Sequence, residues 1–161
     1  MTKIHVLKYS DAVTLAAVVA IRFLGGPEVP WRYGRKTVTR RDGVGKSLGR
    51  DASLRDVLAA SAALGFSTDE TIALMACHGV GQTTTTAYPV QWKQHTFGLD
   101  NTYYTTLRAG SYEQLAYDLH GFRTLKGPNP SHLVALPFEL DMVHSTHTKP
   151  IVDTFAETHA V

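Results

Sequence analysis

Residues 66–81 read FSTDETIALMACHGVG, and this stretch says most about the fold. Ser67 followed three residues later by Glu70 is a capping box, which predicts that a helix begins here. The next residues are apolar on almost every side, so we expect this helix to be buried. The helix arrives at His78, which glycines follow. A buried histidine needs a hydrogen-bond partner or a ligand, so His78 is either a satisfied core residue or a ligand of a metal or cofactor.

Apolar residues at helical spacing predict further helices on both sides of this stretch. We expect them at residues 10–24, 53–64, 100–109, 111–120, 137–144 and 148–158, with a short strand at 133–136. Residues 30–49 are polar and basic, which is typical of an exposed loop. The sequence has no internal repeat and no linker, so it predicts a mainly α fold in a single domain over residues 1–161.

The composition excludes several classes of protein. The 161 residues carry 16 Lys and Arg against 14 Asp and Glu, and a net charge of +2 does not favour nucleic acid binding. The longest apolar stretch, residues 12–24, is too short for a transmembrane segment. The one cysteine, Cys77, excludes an internal disulfide and favours an intracellular, reducing compartment. Charged residues make up only 19%, below the usual quarter, which predicts that a partner covers part of the surface.

Two motifs carry little weight. Gly45-Lys46-Ser47 ends like a phosphate-binding loop, but Arg40 stands where that loop needs its first glycine. His144 and His147 have the spacing of two zinc ligands, but two further ligands would be needed. We interpret this pair as surface histidines near a helix end.

The stretch around His78 resembles the proximal-histidine helix of the class I haem peroxidases. This group contains the ascorbate peroxidases, the cytochrome c peroxidases and the catalase-peroxidases. Other stretches resemble the same family in the same order, namely residues 9–35 with GGPEVPW at 25–31, LDNTYY at 99–104, LPFE at 136–139 and KPIV at 149–152. The resemblance is closest to the ascorbate peroxidases, and it implies the proximal-haem half of the mainly α haem peroxidase fold, with the distal helices missing.

The resemblance also implies a site. His78 would be the axial ligand of the iron of haem b; the alternative is that this chain has lost the haem. Neutral imidazole binds iron through one nitrogen, while its other nitrogen forms a hydrogen bond with a carboxylate. Glu139 stands where the family has that carboxylate as Asp, and Asp141 is a rival. Glu is one methylene longer, so the hydrogen bond could persist with a shifted backbone or be lost. Trp92 falls near the family's proximal tryptophan; the alternative is a buried aromatic residue.

The sequence departs from the family's pattern in three places. The loop after His78 has no basic residue before Lys93, whereas the family binds ascorbate through an Arg there. Gly79 replaces a Thr that helps to bind a cation in the family. No Arg-x-x-x-His occurs in the 161 residues, although peroxide cleavage needs a base and a cation on the distal side of the haem.

These departures predict a truncated, ascorbate-peroxidase-like protein that is a non-catalytic structural subunit of a larger complex, with a mitochondrial complex as the first candidate. The alternative is a haem-binding piece of a split peroxidase that reduces H2O2 once another chain completes it. A third possibility is that these 161 residues are a truncated version of the sequence of an ordinary enzyme. In the first two cases a protein partner covers the side left by the distal half, which makes a hetero-oligomer, and residues 12–24 are a candidate contact. Alone, the chain is expected to be inactive.

Overall fold

A computed structural model describes residues 7–36, 48–82, 90–110, 112–114, 125–126 and 133–158. The described chain is mainly helical, as predicted. Its six α-helices are α1 (Tyr9–Phe23), α2 (Leu54–Ala63), α3 (Thr68–Leu74), α4 (Thr102–Ala109), α5 (Pro137–His144) and α6 (Lys149–Glu157). A 3-10 helix, Met75–Gly79, continues α3 without a break. Three two-residue strands are β1 (Glu113–Gln114), β2 (Leu125–Lys126) and β3 (Val134–Ala135).

The chain forms two compact units, Met1–Lys46 and Ser47–Val161. In the first unit, the buried carboxylate of Asp11 on α1 accepts hydrogen bonds from the backbone N–H groups of Gly34 and Arg35, at 3.0 and 3.2 Å. The pKa of the Asp11 carboxyl is lower than its ordinary value, mainly because of the hydrogen bond from the backbone N–H of Gly34. These hydrogen bonds hold the segment around Gly34 and Arg35 against the first turn of α1.

The second unit has a helical core. In it α4 packs against α5 and α6, while α2 packs against α3 and α5. Capping boxes start α2 at Ser53 and α3 at Ser67, each with an acidic residue three positions on, so the predicted start of α3 is confirmed. The core is built from the side chains that these helices bury, among them Leu54, Val57, Ile72, Tyr103, Tyr104, Leu107, Phe138, Met142 and Val152.

The strands form a small antiparallel sheet in the order β1-β2-β3. The prediction of a strand at 133–136 is confirmed by β3. The prediction of a helix at 111–120 is wrong at Glu113–Gln114, because pairing with β2 overrides the local helical preference there. The rest of that range except residue 112 lies outside the described residues, as do residues 45–47 of the phosphate-loop-like motif and most of the loop predicted at 30–49.

The prediction that the helix after Ser67 is wholly buried is wrong. Thr71 and Ile72 are buried on α3, but Leu74 is 50% exposed. The helix is only seven residues long and packs in the second unit against α2 and α6, so part of its surface faces outward. None of the helices within the described ranges has the length and apolar character needed to cross a membrane.

Candidate functional site

His78 lies in the 3-10 helix that continues α3, and its side chain is 29% exposed. Its Nδ1 atom lies 2.6 Å from Oε1 of Glu139. No residue in the described part of the chain forms a hydrogen bond with its Nε2 atom. Within the described residues, the ring is therefore held at Nδ1 only.

Glu139 is fully buried, and its carboxylate accepts four hydrogen bonds. Oε1 lies within hydrogen-bond distance of Nδ1 of His78 and of the hydroxyl oxygen of Tyr103, at 2.6 Å in each case. Oε2 meets the indole N–H of Trp92 at 2.9 Å and the backbone N–H of Leu136 at 2.6 Å. A carboxylate has about four lone-pair positions, so these four hydrogen bonds use all of its acceptor positions. Because an ionised carboxylate only accepts, Nδ1 of His78 is the donor in this pair.

The position of Glu139 follows from the start of α5. It is the third residue of that helix, behind Pro137 at the first position, where a proline is favoured. A glutamate at this position reaches back to the backbone N–H before the helix, here that of Leu136. The local geometry of the helix start thus holds the carboxylate that the histidine needs.

Aromatic rings surround His78. The ring of Trp92 stacks on the imidazole with centroids 5.0 Å apart and planes inclined by 25°. Phe138 lies 6.4 Å away and Tyr103 meets the ring edge-on at 6.5 Å. These neighbours restrict rotation of the imidazole.

Tyr103 completes the set of donors to Glu139, and the sequence did not single it out. Burial raises the pKa of its phenol well above the ordinary value, and the charge of Glu139 and the hydrogen bond donated to it act in the same direction. The hydroxyl therefore remains protonated and donates. Tyr103 and Tyr104 are adjacent in α4, and only the fold shows which of them points to Glu139, since the hydroxyl of Tyr104 instead donates to the carbonyl of Ile72.

Comparison with known proteins identifies the family. A family model described as Peroxidase matches residues 3–158. The chain belongs to the peroxidase family. The resemblance to class I haem peroxidases is thereby confirmed, and membership of this family supports haem as a cofactor by resemblance.

Curated relatives agree with this assignment. The chain is 27% identical over 160 residues to "Cytochrome c peroxidase, mitochondrial" of Cryptococcus neoformans var. neoformans serotype D, covering 94% of this chain and 41% of the relative. It is 33% identical over 119 residues to "L-ascorbate peroxidase 2, cytosolic" of Oryza sativa subsp. japonica, covering 70% and 46%. A relative from Pyricularia oryzae, with "heme-binding peroxidase" in its name, is 27% identical over 147 residues, covering 84% and 48%. The chain spans about half the length of the curated relatives it matches.

In this peroxidase-family chain, the fold brings together the three residues that the sequence singled out. His78, Trp92 and Glu139 lie in mutual contact, although His78 and Glu139 are 61 positions apart. Glu139 keeps its hydrogen bond to His78 despite the extra methylene. The rival Asp141 is exposed on α5, and His144 and His147 also lie at the surface.

The residues of the site fit the haem iron of a peroxidase. A haem iron is bound by one nitrogen of a neutral imidazole, and because Nδ1 of His78 is held by Glu139, Nε2 is the nitrogen that would bind the iron. A carboxylate on the second nitrogen orients such a ligand and raises its basicity. His78 would hold the iron, and Glu139 would support it.

Proposed function

We propose that this chain is a peroxidase-type oxidoreductase module that binds haem b through Nε2 of His78. The observation that carries the proposal is the buried carboxylate of Glu139, which accepts hydrogen bonds from both His78 and Trp92. Burying a carboxylate is unfavourable unless it has partners. Here the carboxylate of Glu139 binds Nδ1 of His78 and so fixes the orientation of Nε2, the nitrogen that would bind a metal. This observation favours the haem-binding alternative over a purely structural role.

When bound, haem supplies the redox-active iron. Glu139 holds the proton at Nδ1 of His78 and so increases the electron donation from Nε2. Trp92 stacks on the imidazole and is the closest aromatic group among the described residues, so we propose that electrons from a reducing partner pass through its indole. Tyr103 keeps Glu139 in place from the other side.

Peroxide reduction also needs groups on the opposite side of the haem. A base must move a proton between the peroxide oxygens, and a cation must stabilise the departing charge. The 161 residues contain no Arg-x-x-x-His. We propose that these groups come from residues outside this sequence, and that turnover by these 161 residues alone is therefore very slow.

Haem titration of the purified chain tests the proposal. We expect a Soret band that saturates at one haem per chain, and a much weaker and shifted spectrum for His78→Gly. Adding free imidazole to His78→Gly should restore the original band, because the small molecule fills the space of the lost side chain. His147→Gly, at the surface, is the matched control and should titrate like the natural chain. Identical titrations of His78→Gly and the natural chain would overturn the proposal.

A second candidate function is a non-catalytic structural subunit of a larger complex. It is supported by the apolar side chains exposed along α1, namely Tyr9, Val13, Val19 and Phe23, of which Phe23 is 89% exposed. An exposed apolar stripe of this kind favours a protein partner and a hetero-oligomer. One of the relatives carries "mitochondrial" in its name, so a mitochondrial extract is the first to test.

Native mass measurement from that extract distinguishes the two candidates. Under the structural role, His78→Ala leaves the mass of the complex unchanged and the complex contains no haem. Under the haem-binding role, the complex shows a Soret band that His78→Ala removes. A free 17.6 kDa monomer would contradict the partner in both cases.

A further inference from the structure

A second buried ionic group lies directly beside the site. Lys93 follows Trp92 in the chain, and its side chain is only 1% exposed. Its Nζ atom lies 2.7 Å from the carbonyl oxygen of Gly98 and 2.6 Å from Oδ1 of Asp100. A lysine is rarely buried to this degree, and an ammonium inside a protein is stable only when oxygen atoms replace its water.

The oxygens around the ammonium belong to the start of α4. Asp100 also accepts hydrogen bonds from the backbone N–H and the hydroxyl of Thr102, the first residue of that helix. Burial alone would raise the pKa of Asp100, but the hydrogen bonds from Lys93 and Thr102 and the lysine charge lower it overall. Asp100 is thus a carboxylate that connects the ammonium to the helix carrying Tyr103.

The stem of Lys93 passes the backbone next to His78. A Cβ atom placed on Gly79 would lie 3.3 Å from Cε of Lys93 and 3.2 Å from Cβ of Tyr103. Both distances are shorter than ordinary van der Waals contact, so glycine at position 79 leaves the space that the lysine uses. Gly79, which follows His78, therefore packs against the stem of Lys93, while Asp100 at the start of α4 binds its ammonium.

We propose that the Lys93 ammonium is a built-in monovalent cation in an oxygen-lined site, and that it positions the segments carrying His78 and Tyr103 around Glu139. The carbonyl and carboxylate oxygens that hold it are the donor types that hard cations prefer. An ammonium and a potassium ion are similar in size and charge. A chain that lacks the ammonium should therefore take a small cation at the same oxygens.

The experiment uses the full 161-residue chain without haem. Lys93→Ala removes the three outer carbons and the nitrogen, which together correspond to n-propylammonium. We expect Lys93→Ala to lower Tm by roughly 5–15 °C. At equal ionic strength, n-propylammonium should recover at least about half of that loss, and potassium a smaller part, whereas choline and n-propanol should recover none. The natural chain should not respond to these cations.

A second variant keeps the test decisive if Lys93→Ala does not fold. Lys93→Met retains an apolar stem but removes the ammonium, with its charge and its hydrogen bonds, so we expect a clear loss of Tm that no cation restores, because the stem blocks the site. Lys149→Met is the matched control, since Lys149 forms an exposed ion pair with Asp153. Its Tm should fall only slightly. A Lys93→Met chain as stable as the natural chain would overturn the proposal, as would a Lys93→Ala chain stabilised equally by propanol and propylammonium.

The positioning role has its own readout. Nδ1 of His78 lies 2.6 Å from Oε1 of Glu139, so the proton on Nδ1 should give a far-downfield resonance. This resonance should broaden or disappear in Lys93→Ala and return with n-propylammonium. An unchanged resonance in Lys93→Ala would show that Lys93 is a structural ion pair only.

Discussion

The Nδ1 atom of His78 lies 2.6 Å from Oε1 of Glu139, and no part of the glutamate side chain reaches solvent. This one contact joins the 3-10 helix after α3 to the first turn of α5 across 61 positions of sequence. Since the other acceptor positions of the carboxylate are filled by Trp92, Tyr103 and Leu136, Glu139 cannot rotate to a different partner without leaving buried donors unpaired. The orientation of the imidazole thus depends on contacts from several elements of the second unit.

Glu139→Gln should strongly destabilise the chain. The amide places an N–H2 group against donors that now have no acceptor, and each buried donor left unpaired costs about 1–3 kcal/mol. Urea unfolding followed by circular dichroism measures the loss, which we expect to exceed 2 kcal/mol on this basis. Asp141→Asn on the exposed side of α5 is the control and should change stability by less than about 0.5 kcal/mol. Equal stability of the two variants would contradict the four-donor arrangement.

Much of this site could be predicted from the sequence. His78 could be predicted because a capping box at Ser67 begins an apolar helix that arrives at this histidine. The family resemblance placed Glu139 and Trp92, and Pro137 with Glu139 three residues after Leu136 is a readable helix start. These signals are local patterns or depend on the order of motifs along the chain, so one sequence is enough to detect them.

The role of Tyr103 and the burial of Lys93 could not be predicted in this way. Tyr103 and Tyr104 are chemically alike neighbours, and their different partners depend on how α4 packs in the unit. Lys93 looks like a surface residue in the sequence, because nothing local shows that the Gly98 carbonyl and Asp100 fold back over it. Strand β1 was missed for the same reason, since its pairing partner lies eleven or more positions away.

Trp92→Phe separates the two contacts of the indole. Phenylalanine keeps a ring beside His78 but loses the N–H that Glu139 accepts at 2.9 Å. We expect a loss of about 1–2 kcal/mol in the free energy of unfolding, measured in urea. With haem added, Trp92→Phe should bind with an affinity close to that of the natural chain but accept electrons from an added reductant more slowly, measured by stopped-flow absorbance. Trp31→Phe, in the first unit, is the control, and equal reduction rates in both variants would contradict the electron path.

Tyr103→Phe tests the buried phenol through the pH dependence of stability. The pKa of Tyr103 is raised well above 10.0 in the folded chain, so only the unfolded chain releases this proton near pH 10. The unfolded state then binds fewer protons, and stability that is complete below the unfolded pKa falls as pH rises above it. This tyrosine should contribute a slope of about 1.4 kcal/mol per pH unit until its folded pKa is reached.

The measurement compares urea unfolding of the natural chain and Tyr103→Phe from about pH 8 to pH 11.5, a range chosen around the ordinary tyrosine pKa. The difference between the two chains should be constant below about pH 9.5 and should shrink above it, because only the natural chain has this phenol to ionise. Taking the difference removes the lysines and the other tyrosines, which titrate in both chains. A difference independent of pH over the whole range would show that Tyr103 ionises freely in the folded chain.

Gly79→Ala tests the close packing between Gly79 and Lys93. The new methyl group would lie 3.3 Å from Cε of Lys93 and 3.2 Å from Cβ of Tyr103, so side chains must shift, at a cost of about 1–3 kcal/mol. In the double variant Gly79→Ala/Lys93→Ala the lysine stem is gone, while the contact with Tyr103 remains. The cost of Gly79→Ala should therefore be smaller in the Lys93→Ala background, with a coupling of about 0.5–1.5 kcal/mol in a double-mutant cycle. Strict additivity of the two substitutions would mean that Lys93 moves aside freely, and that the ammonium is not held where its oxygens require it.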